Sequence, residues 1–293
     1  MYKIDAHNHP DNIYMNYEKY IEDKDKVGID KVCLLGWEAP TIENDAVDYI
    51  QATPTPVNDQ ITIPFERCLS YYEKSPDRFI LGYAPDPRKP FAVQKMRAAI
   101  DTYGVKICGE VKFRMLYDNP DAIDLFNYCG ERGVPVILHL DIPGASPGRE
   151  GSQWPHFWYG GDIFMLERVL QQCPNTNFLG HAPAFWGAIS NDEQWRTNNC
   201  PQGPVIPGGK IEEFLDKYPN LHCDCSAGSA FKALSRDPEY TKKLMLKHPD
   251  RFIYGRDNFT TVMYDFYESL NMPEDIKELF YHGNIERLMG ITK

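Results

Sequence analysis

Eight short apolar runs recur along this 293-residue chain, separated by stretches of helical periodicity, and this alternation restricts the fold more than any other feature. The runs are Tyr2–His7, Lys31–Gly36, Phe79–Ala84, Gly109–Phe113, Pro135–Leu140, Asn177–His181, Leu221–Cys225 and Arg251–Asp257. Most are continuously apolar rather than alternating, the pattern of parallel strands covered on the outside by helices. The spacing predicts helices at Ile61–Lys74, Phe91–Tyr103, Asp121–Arg132, Asp162–Cys173 (Asp162 as N-cap), Lys210–Tyr218, Asp237–His248 and Thr260–Asn271, with closing helices from Pro273 to Met289. Strand alternating with helix points to α/β architecture: a (β/α)8 TIM barrel, one domain over residues 1–293, with loops inserted at the C-terminal face. A doubly wound open sheet is the competitor. The barrel is preferred because polar residues end runs in both halves of the chain, and only a closed cylinder brings the first strand beside the eighth.

Those polar residues carry the chemistry. His7 and His9 end the first run, Glu110 lies in the fourth, His139 and His181 lie at the ends of the fifth and sixth, and Asp257 ends the eighth. Residues two apart on a strand point the same way, so His7 and His9 can grip one ion. Neutral imidazoles and carboxylates suit Zn²⁺ and its neighbours. A hydrolytic metal polarises a carbonyl and lowers the pKa of bound water, whose proton Asp257 can take. The plainer role for Asp257 is an N-cap ahead of Thr260 and Thr261. His139 and His181 read as further ligands, as water-activating groups, or as hydrogen-bonded core residues. Glu110 reads either as a bridge between two ions or as a partner of Lys112. Lys112 and Arg114 share a face and can hold a substrate carboxylate, or can form structural ion pairs. Arg256 turns outward towards a structural partner. His222 and His248 read as surface residues, and His282 has no chemical case.

Three insertions, Trp37–Gln60, Asp141–Gly161 and Ala182–Gly209, follow strand ends and so crowd the catalytic face of a barrel. Trp154, His156, Trp158 and Trp186 are the substrate contacts they offer; the alternative is that such aromatics cover apolar rim surface. Exposed aromatics on these insertions also make a homodimer plausible. A net charge of −11 argues against a nucleic-acid groove or an anionic membrane surface. No apolar run has the length to span a bilayer, and Met1 leads directly into the first run with no signal peptide. The eight cysteines show no CxxC pair and read as reduced core thiols of a cytoplasmic protein, Cys223 and Cys225 being a weaker candidate for a soft-metal pair.

Taken as an ordered set, His7-x-His9, His139, His181 and Asp257 resemble the amidohydrolase superfamily, and more narrowly its amidohydrolase-related branch, which includes aminocarboxymuconate-semialdehyde decarboxylase-like enzymes. The resemblance runs from Ile4 to Asp257. It implies a barrel with one or two divalent ions, commonly zinc, in which His7, His9 and Asp257 hold the principal metal and His139 completes it. It also implies that His181 orients or deprotonates water in single-metal relatives, and that His139 and His181 hold a second ion in two-metal relatives. This chain offers Glu110 where those relatives place a bridging group. Gly255-Arg256-Asp257 departs from the usual Gly-Thr-Asp, which leaves the Asp in place but alters what surrounds it. The leading expectation is a metal-dependent hydrolase of an amide, ester or lactone of a small molecule. The alternative is a metal-dependent non-oxidative decarboxylase, a lyase, of an aromatic or unsaturated acid. A non-catalytic, metal-stabilised binding barrel is the third.

Overall fold

The computed structural model describes residues 1–11, 15–40, 43, 61–142, 158–198 and 200–291. In chain order the elements are β1 (Ile4–Asn8), α1 (Tyr17–Val27), β2 (Lys31–Pro40), β3 (Ile61–Ile63), α2 (Phe65–Lys74), β4 (Phe79–Ala84), α3 (Ala92–Tyr103), β5 (Cys108–Val111), α4 (Pro120–Glu131), β6 (Val136–His139), α5 (Ile163–Gln172), β7 (Phe178–His181) and α6 (Pro183–Trp186). There follow α7 (Lys210–Lys217), β8 (Leu221–Cys225), α8 (Ala227–Leu234), α9 (Pro238–Lys247), β9 (Phe252–Tyr254), α10 (Val262–Ser269), α11 (Glu274–Glu278), a π-helical turn (Leu279–Gly283) and α12 (Asn284–Leu288).

All eight expected strands are present, and each pairs parallel with its neighbour. The extra strand, β3, runs antiparallel to the far end of β2, pairing Trp37 with Ile63 and Pro40 with Ile61. It occupies the start of the helix expected from Ile61. The physical reason is Pro64, which pushes the preceding residue into extended backbone, so the helix begins only at Phe65. Sequence periodicity also missed α1. Its inward positions include Lys24, fully buried against Asp5 at 3.3 Å, so the apolar stripe that marks a helix is interrupted by a charge. Local capping chemistry is otherwise conventional: the Asp162 carboxylate accepts from the Phe164 and Met165 N–H groups, and Asn119 caps α4 ahead of Pro120.

Two seams turn the strand ladders into a cylinder. Between β4 and β5 the Tyr83 N–H donates to Ile107 O at 3.1 Å and the Lys106 N–H to Leu81 O at 3.0 Å. Gly82 makes that seam possible: a Cβ there would lie 2.5 Å from a Leu35 methyl and 2.8 Å from a side-chain carbon of Ile107. Between β9 and β1 the Asp257 N–H donates to His7 O at 2.7 Å, and the Arg256 N–H donates to the Asp5 carboxylate at 2.8 Å. Closure excludes the open doubly wound sheet. The barrel interior is filled by Ile4, Ala6, Cys33, Leu35, Ile80, Ile107, Ile137, Leu179 and Ile253, and Ile285, Leu288 and Met289 of the C-terminal helical segment join that cluster. A larger apolar layer lies between the strands and the helices. All eight cysteines are free thiols, seven of them buried; Cys223 and Cys225 belong to that outer layer, on the opposite face of β8 from Asp224. Among the described residues no helix is long and apolar enough to cross a membrane.

Two histidine expectations change. His222 is buried in β8, not on the surface, and His248 is half-buried beside Asp216 at 3.1 Å. His282 is buried and paired with Glu286 at 2.8 Å. Burial, with Arg251 and Arg287 nearby, pushes the His222 imidazole down to about 3 from its ordinary 6.5. His222 therefore stays neutral in the fold but takes a proton in the unfolded chain once the pH falls below 6.5. Its contribution to stability is present above that value and is lost as the pH drops towards 3. His222→Gln is expected to flatten the urea-unfolding stability across this window by something on the order of a few kcal/mol at the acid end, relative to the parent; an unchanged acid slope would remove His222 as its source.

Candidate metal centre

Two irregularities at strand ends aim the first site residues. Between Asp5 and Asn8 the β1–β2 register shifts: Asp5 stands opposite Val32 but Asn8 opposite Leu34, so β1 carries one extra residue. Ile4 and Ala6 face the barrel interior, Asp5 faces Lys24 of α1, and the extra residue restores His7 to the interior side. β5 does the same between Cys108 and Val111, which stand opposite Val136 and Leu138. Cys108 and Val111 join the outer layer, while Gly109 abuts Ile137 of the inner cluster and Glu110 turns towards His7, His139 and His181. Three positive-φ residues sit at the other strand ends: Ala182 after His181, Ala227 after Ser226, and Asp257 itself at φ +54. The chain is held in sparsely populated backbone around the same cavity.

The side chains of His7, His9, Glu110, His181 and Asp257 converge there. His7 Nε2 lies 3.7 Å from Glu110 Oε2 and 3.6 Å from Asp257 Oδ1. His9 Nε2 lies 3.5 Å and 3.3 Å from the same two oxygens. Both Nε2 atoms are buried without a hydrogen-bond partner. Their other nitrogens are engaged: His9 Nδ1 donates to the Leu35 carbonyl at 2.8 Å, and His7 Nδ1 meets the Asp224 carboxylate at 2.6 Å. A carbonyl can only accept, so His9 carries its proton on Nδ1 and presents a lone pair on Nε2. Metal–donor bonds of about 2.1 Å at tetrahedral angles set donor atoms roughly 3.4 Å apart. The separations here match that edge and are too long for good hydrogen bonds. Among the described residues two sets can share an ion, His7–Glu110–His181 and His7–His9–Asp257. The donor set fits a divalent cation.

Electrostatics point the same way. Burial opposes charging His7, yet Asp224 and Asp257 outweigh it and hold its pKa well above the usual imidazole range. Burial likewise opposes His9, and Asp257 and Glu110 raise it. Burial opposes ionisation of Glu110, but Lys112 and His139 hold the carboxyl well below its ordinary value; Asp257 is also lowered, by His7 and His9. Asp224 is driven far down by His7 and His181 against its complete burial. A buried pocket with this much fixed negative charge gains stability from a cation.

His139 belongs to neither set. Its Nδ1 lies 2.5 Å from Glu110 Oε1 and its Nε2 2.8 Å from Asp141 Oδ2. Burial and Lys112 lower its pKa, Glu110 and Asp141 raise it, and the rise prevails. Lys112 is buried, its ammonium 5.7 Å from the Trp37 ring centroid and 5.3 Å from that of Tyr159. Arg114 stacks over Tyr159 at 5.1 Å, and its Nε donates to Glu43 O at 2.6 Å, so its guanidinium holds the Glu43 backbone. Trp158 is half-buried beside Tyr159, and Trp154 and His156 lie outside the described residues. Trp186 requires a correction: it is fully buried and its indole N–H donates to Asp224 O at 3.1 Å, so it supports β8. Arg256 does turn to a structural partner, with its guanidinium 2.6 Å from Asp23, and its backbone N–H is the one Asp5 receives. Sequence reasoning missed Asp224, Asp141 and Ser226. Asp224 was hidden between two cysteines; a lone carboxylate inside a strand was the available signal.

A family model described as Amidohydrolase matches residues 4–291. No curated protein matches the chain by sequence. Among solved structures, a dihydroxybenzoic acid decarboxylase from Polaromonas sp. JS666, with bound manganese and the inhibitor 2-nitroresorcinol, superposes with a TM-score of 0.64 at 15% identity, covering 100% of this chain and 98% of that one. A 2,6-dihydroxybenzoate decarboxylase from Rhizobium gives 0.61 at 16% identity, with 99% of each chain covered. A probable 2-pyrone-4,6-dicarboxylic acid hydrolase from Acinetobacter baumannii, with citric acid bound, gives 0.59 at 12% identity, covering 99% of this chain and 100% of that one. At such identities the likeness establishes the fold.

Asp257→Asn isolates the charge at this centre, because Asn tolerates the positive φ that most side chains would strain. It is expected to melt cooperatively like the parent after chelation, and to lose at least about tenfold in zinc or manganese affinity by competition titration. Undiminished affinity would remove Asp257 from the centre.

Proposed function

Since the chain belongs to the amidohydrolase family, we propose that this enzyme is a metal-dependent, non-oxidative decarboxylase of a small aromatic or unsaturated carboxylic acid. The observation that carries the reading is the pair of orphaned, buried Nε2 atoms of His7 and His9 set against Glu110 and Asp257. His7, His9, Glu110 and Asp257, with an imidazole from β6 or β7, would hold the ion; zinc and manganese both suit the donors, and a similar decarboxylase carries manganese. When bound, the ion supplies a fixed positive charge that orients and polarises an acidic substrate.

The remaining chemistry belongs to the chain. Lys112 adds a buried positive charge that attracts a carboxylate. Trp37 packs edge-on to His9 at 5.0 Å and Tyr159 edge-on to His139 at 5.3 Å, so two buried aromatic rings flank the centre. Loss of carbon dioxide leaves an electron pair on carbon, and a proton must arrive there. His139, held between Glu110 and Asp141 with a raised pKa, stores that proton next to the site and is recharged from water. The names of the two decarboxylases favour this lyase over the hydrolase.

Hydrolysis of a lactone is the second reading, favoured by the similarity to the 2-pyrone-4,6-dicarboxylic acid hydrolase. There Asp257, whose side chain keeps 22% exposure and so stands at the mouth, would take the proton of an attacking water. The two part on products. Enzyme loaded with zinc or manganese is expected to release carbon dioxide from a panel of hydroxybenzoates, and lactone opening without carbon dioxide release would decide for hydrolysis. His139→Asn is expected to lower kcat by roughly 10²-fold or more with little change in KM, as the loss of a proton donor requires.

A further inference from the structure

We infer that Asp5 and Asn8 are positioning residues of the metal centre, holding the backbone on both sides of Asp257 and in front of His7 and His9, and that Lys24 supplies the charge that lets Asp5 do so while buried. The inference rests on the reading that this centre holds a divalent cation, and it concerns two residues outside both donor sets.

The extra residue in β1 creates the need. Where the register shifts between Asp5 and Asn8, the ladder to β2 is interrupted, and backbone N–H groups of a buried segment must find other acceptors. Two side chains of the same segment supply them. Asp5 Oδ1 accepts from the Arg256 N–H at 2.8 Å and, at a longer 3.4 Å, from the His7 N–H. Asn8 Oδ1 accepts from the His9 N–H at 2.9 Å. The Asn8 amide group donates to Asp5 Oδ2 at 2.9 Å and to the Asn258 carbonyl at 3.2 Å. Its partners fix its orientation, since a carboxylate and a carbonyl only accept and an N–H only donates. Residues 256 and 258 are thereby tied to β1 on either side of Asp257, whose φ is +54 and whose N–H donates to His7 O at 2.7 Å. A side chain on such sparsely populated backbone keeps its aim only where its surroundings determine it.

Both residues are fully buried, and a carboxylate in that place is costly without a counter-ion. Lys24 Nζ, also fully buried, lies 3.3 Å from Asp5 Oδ2, 4.7 Å from the Tyr20 ring centroid and 4.8 Å from that of Phe259. Asp23, its neighbour on α1, pairs with the Arg256 guanidinium at 2.6 Å. Asp5 and Asp23 thus balance Lys24 and Arg256 across β1, α1 and the segment after β9. Arg256 is the residue by which this chain departs from Gly-Thr-Asp, and its guanidinium belongs to that balanced set.

Charge balance and positioning can be separated. Asp5→Asn/Lys24→Met removes the buried ion pair as a neutral unit. A carboxamide, however, has one accepting oxygen where Asp5 uses two, so the Arg256 N–H and the Asn8 amide can no longer both be held. Chelator-stripped proteins are compared by thermal melting. Cobalt(II) affinity and visible spectrum are then measured by titration against a competing indicator, without turnover. The double variant is expected to melt within about 4 °C of the parent, and above Asp5→Asn, which leaves Lys24 unpaired. It should nonetheless bind cobalt(II) about tenfold or more weakly, with an altered band, and Asn8→Ala should show the same loss. If Asn8→Ala fails to melt cooperatively, Asn8→Ser takes its place. Cobalt(II) affinity that recovers along with melting in the double variant, or stays within about threefold of the parent in the Asn8 variant, overturns the inference, because residues that merely stabilise the fold behave so. A double variant that melts no higher than Asp5→Asn overturns the role given to Lys24. A parent that takes up no cobalt(II) overturns the inference together with the metal-centre reading. The expected cobalt(II) pattern without release of carbon dioxide supports the inference and counts against the decarboxylase alone.

Discussion

The backbone hydrogen bond from the Asp257 N–H to the His7 carbonyl, 2.7 Å long, joins the last strand of the barrel to the first. Everything at the metal centre depends on that closure. Without it, Asp257 and the two histidines of β1 belong to opposite edges of a sheet, and the cavity between them does not exist. The seam is reinforced by Asp5, which accepts the Arg256 N–H and pairs with buried Lys24 of α1. A helix that sequence periodicity overlooked thus supports the closing strand by a charge rather than by an apolar stripe.

The second requirement is local. An ordinary strand sends alternate residues to opposite faces, and regular alternation from Ile4 and Ala6 would send His7 outward. One extra residue in β1, and another in β5, reverse the alternation just where ligand-type side chains begin. The barrel therefore packs aliphatic side chains below and presents imidazole and carboxylate above, with no strand having to change its neighbours.

The third is electrostatic. Glu110, Asp141, Asp224 and Asp257 lie within or beside one cavity, with Lys112 beside them. Such a concentration of carboxylates is costly to bury unless a cation joins it. The raised imidazole pKa values and lowered carboxylate values express the same demand, and His9, with its proton held at Leu35 O, meets a cation with a lone pair. The site is organised for a positive charge before any substrate arrives.

How much of this was legible in the chain follows from the range of each interaction. The eight apolar runs and most helices could be read because their periodicity is a short-range property, and the residue types ending those runs already said imidazole and carboxylate around a divalent cation. The short strand before Pro64 and the Lys24-bearing helix escaped because a pairing with β2 and a buried ion pair replaced the usual apolar signal. The misreading of Trp186 and His222 had the opposite cause: nothing local tells a buried aromatic or imidazole from an exposed one. Asp224 and His7 are 217 residues apart and meet only because strand order and register bring them together. Short-range pattern was enough to specify the barrel and the imidazole and carboxylate side chains at its strand ends. The tertiary structure alone decided which ring nitrogen faces the cavity and which histidine is tied up by carboxylates, since a tautomer and a contact are settled by neighbours that the fold, not the chain order, provides.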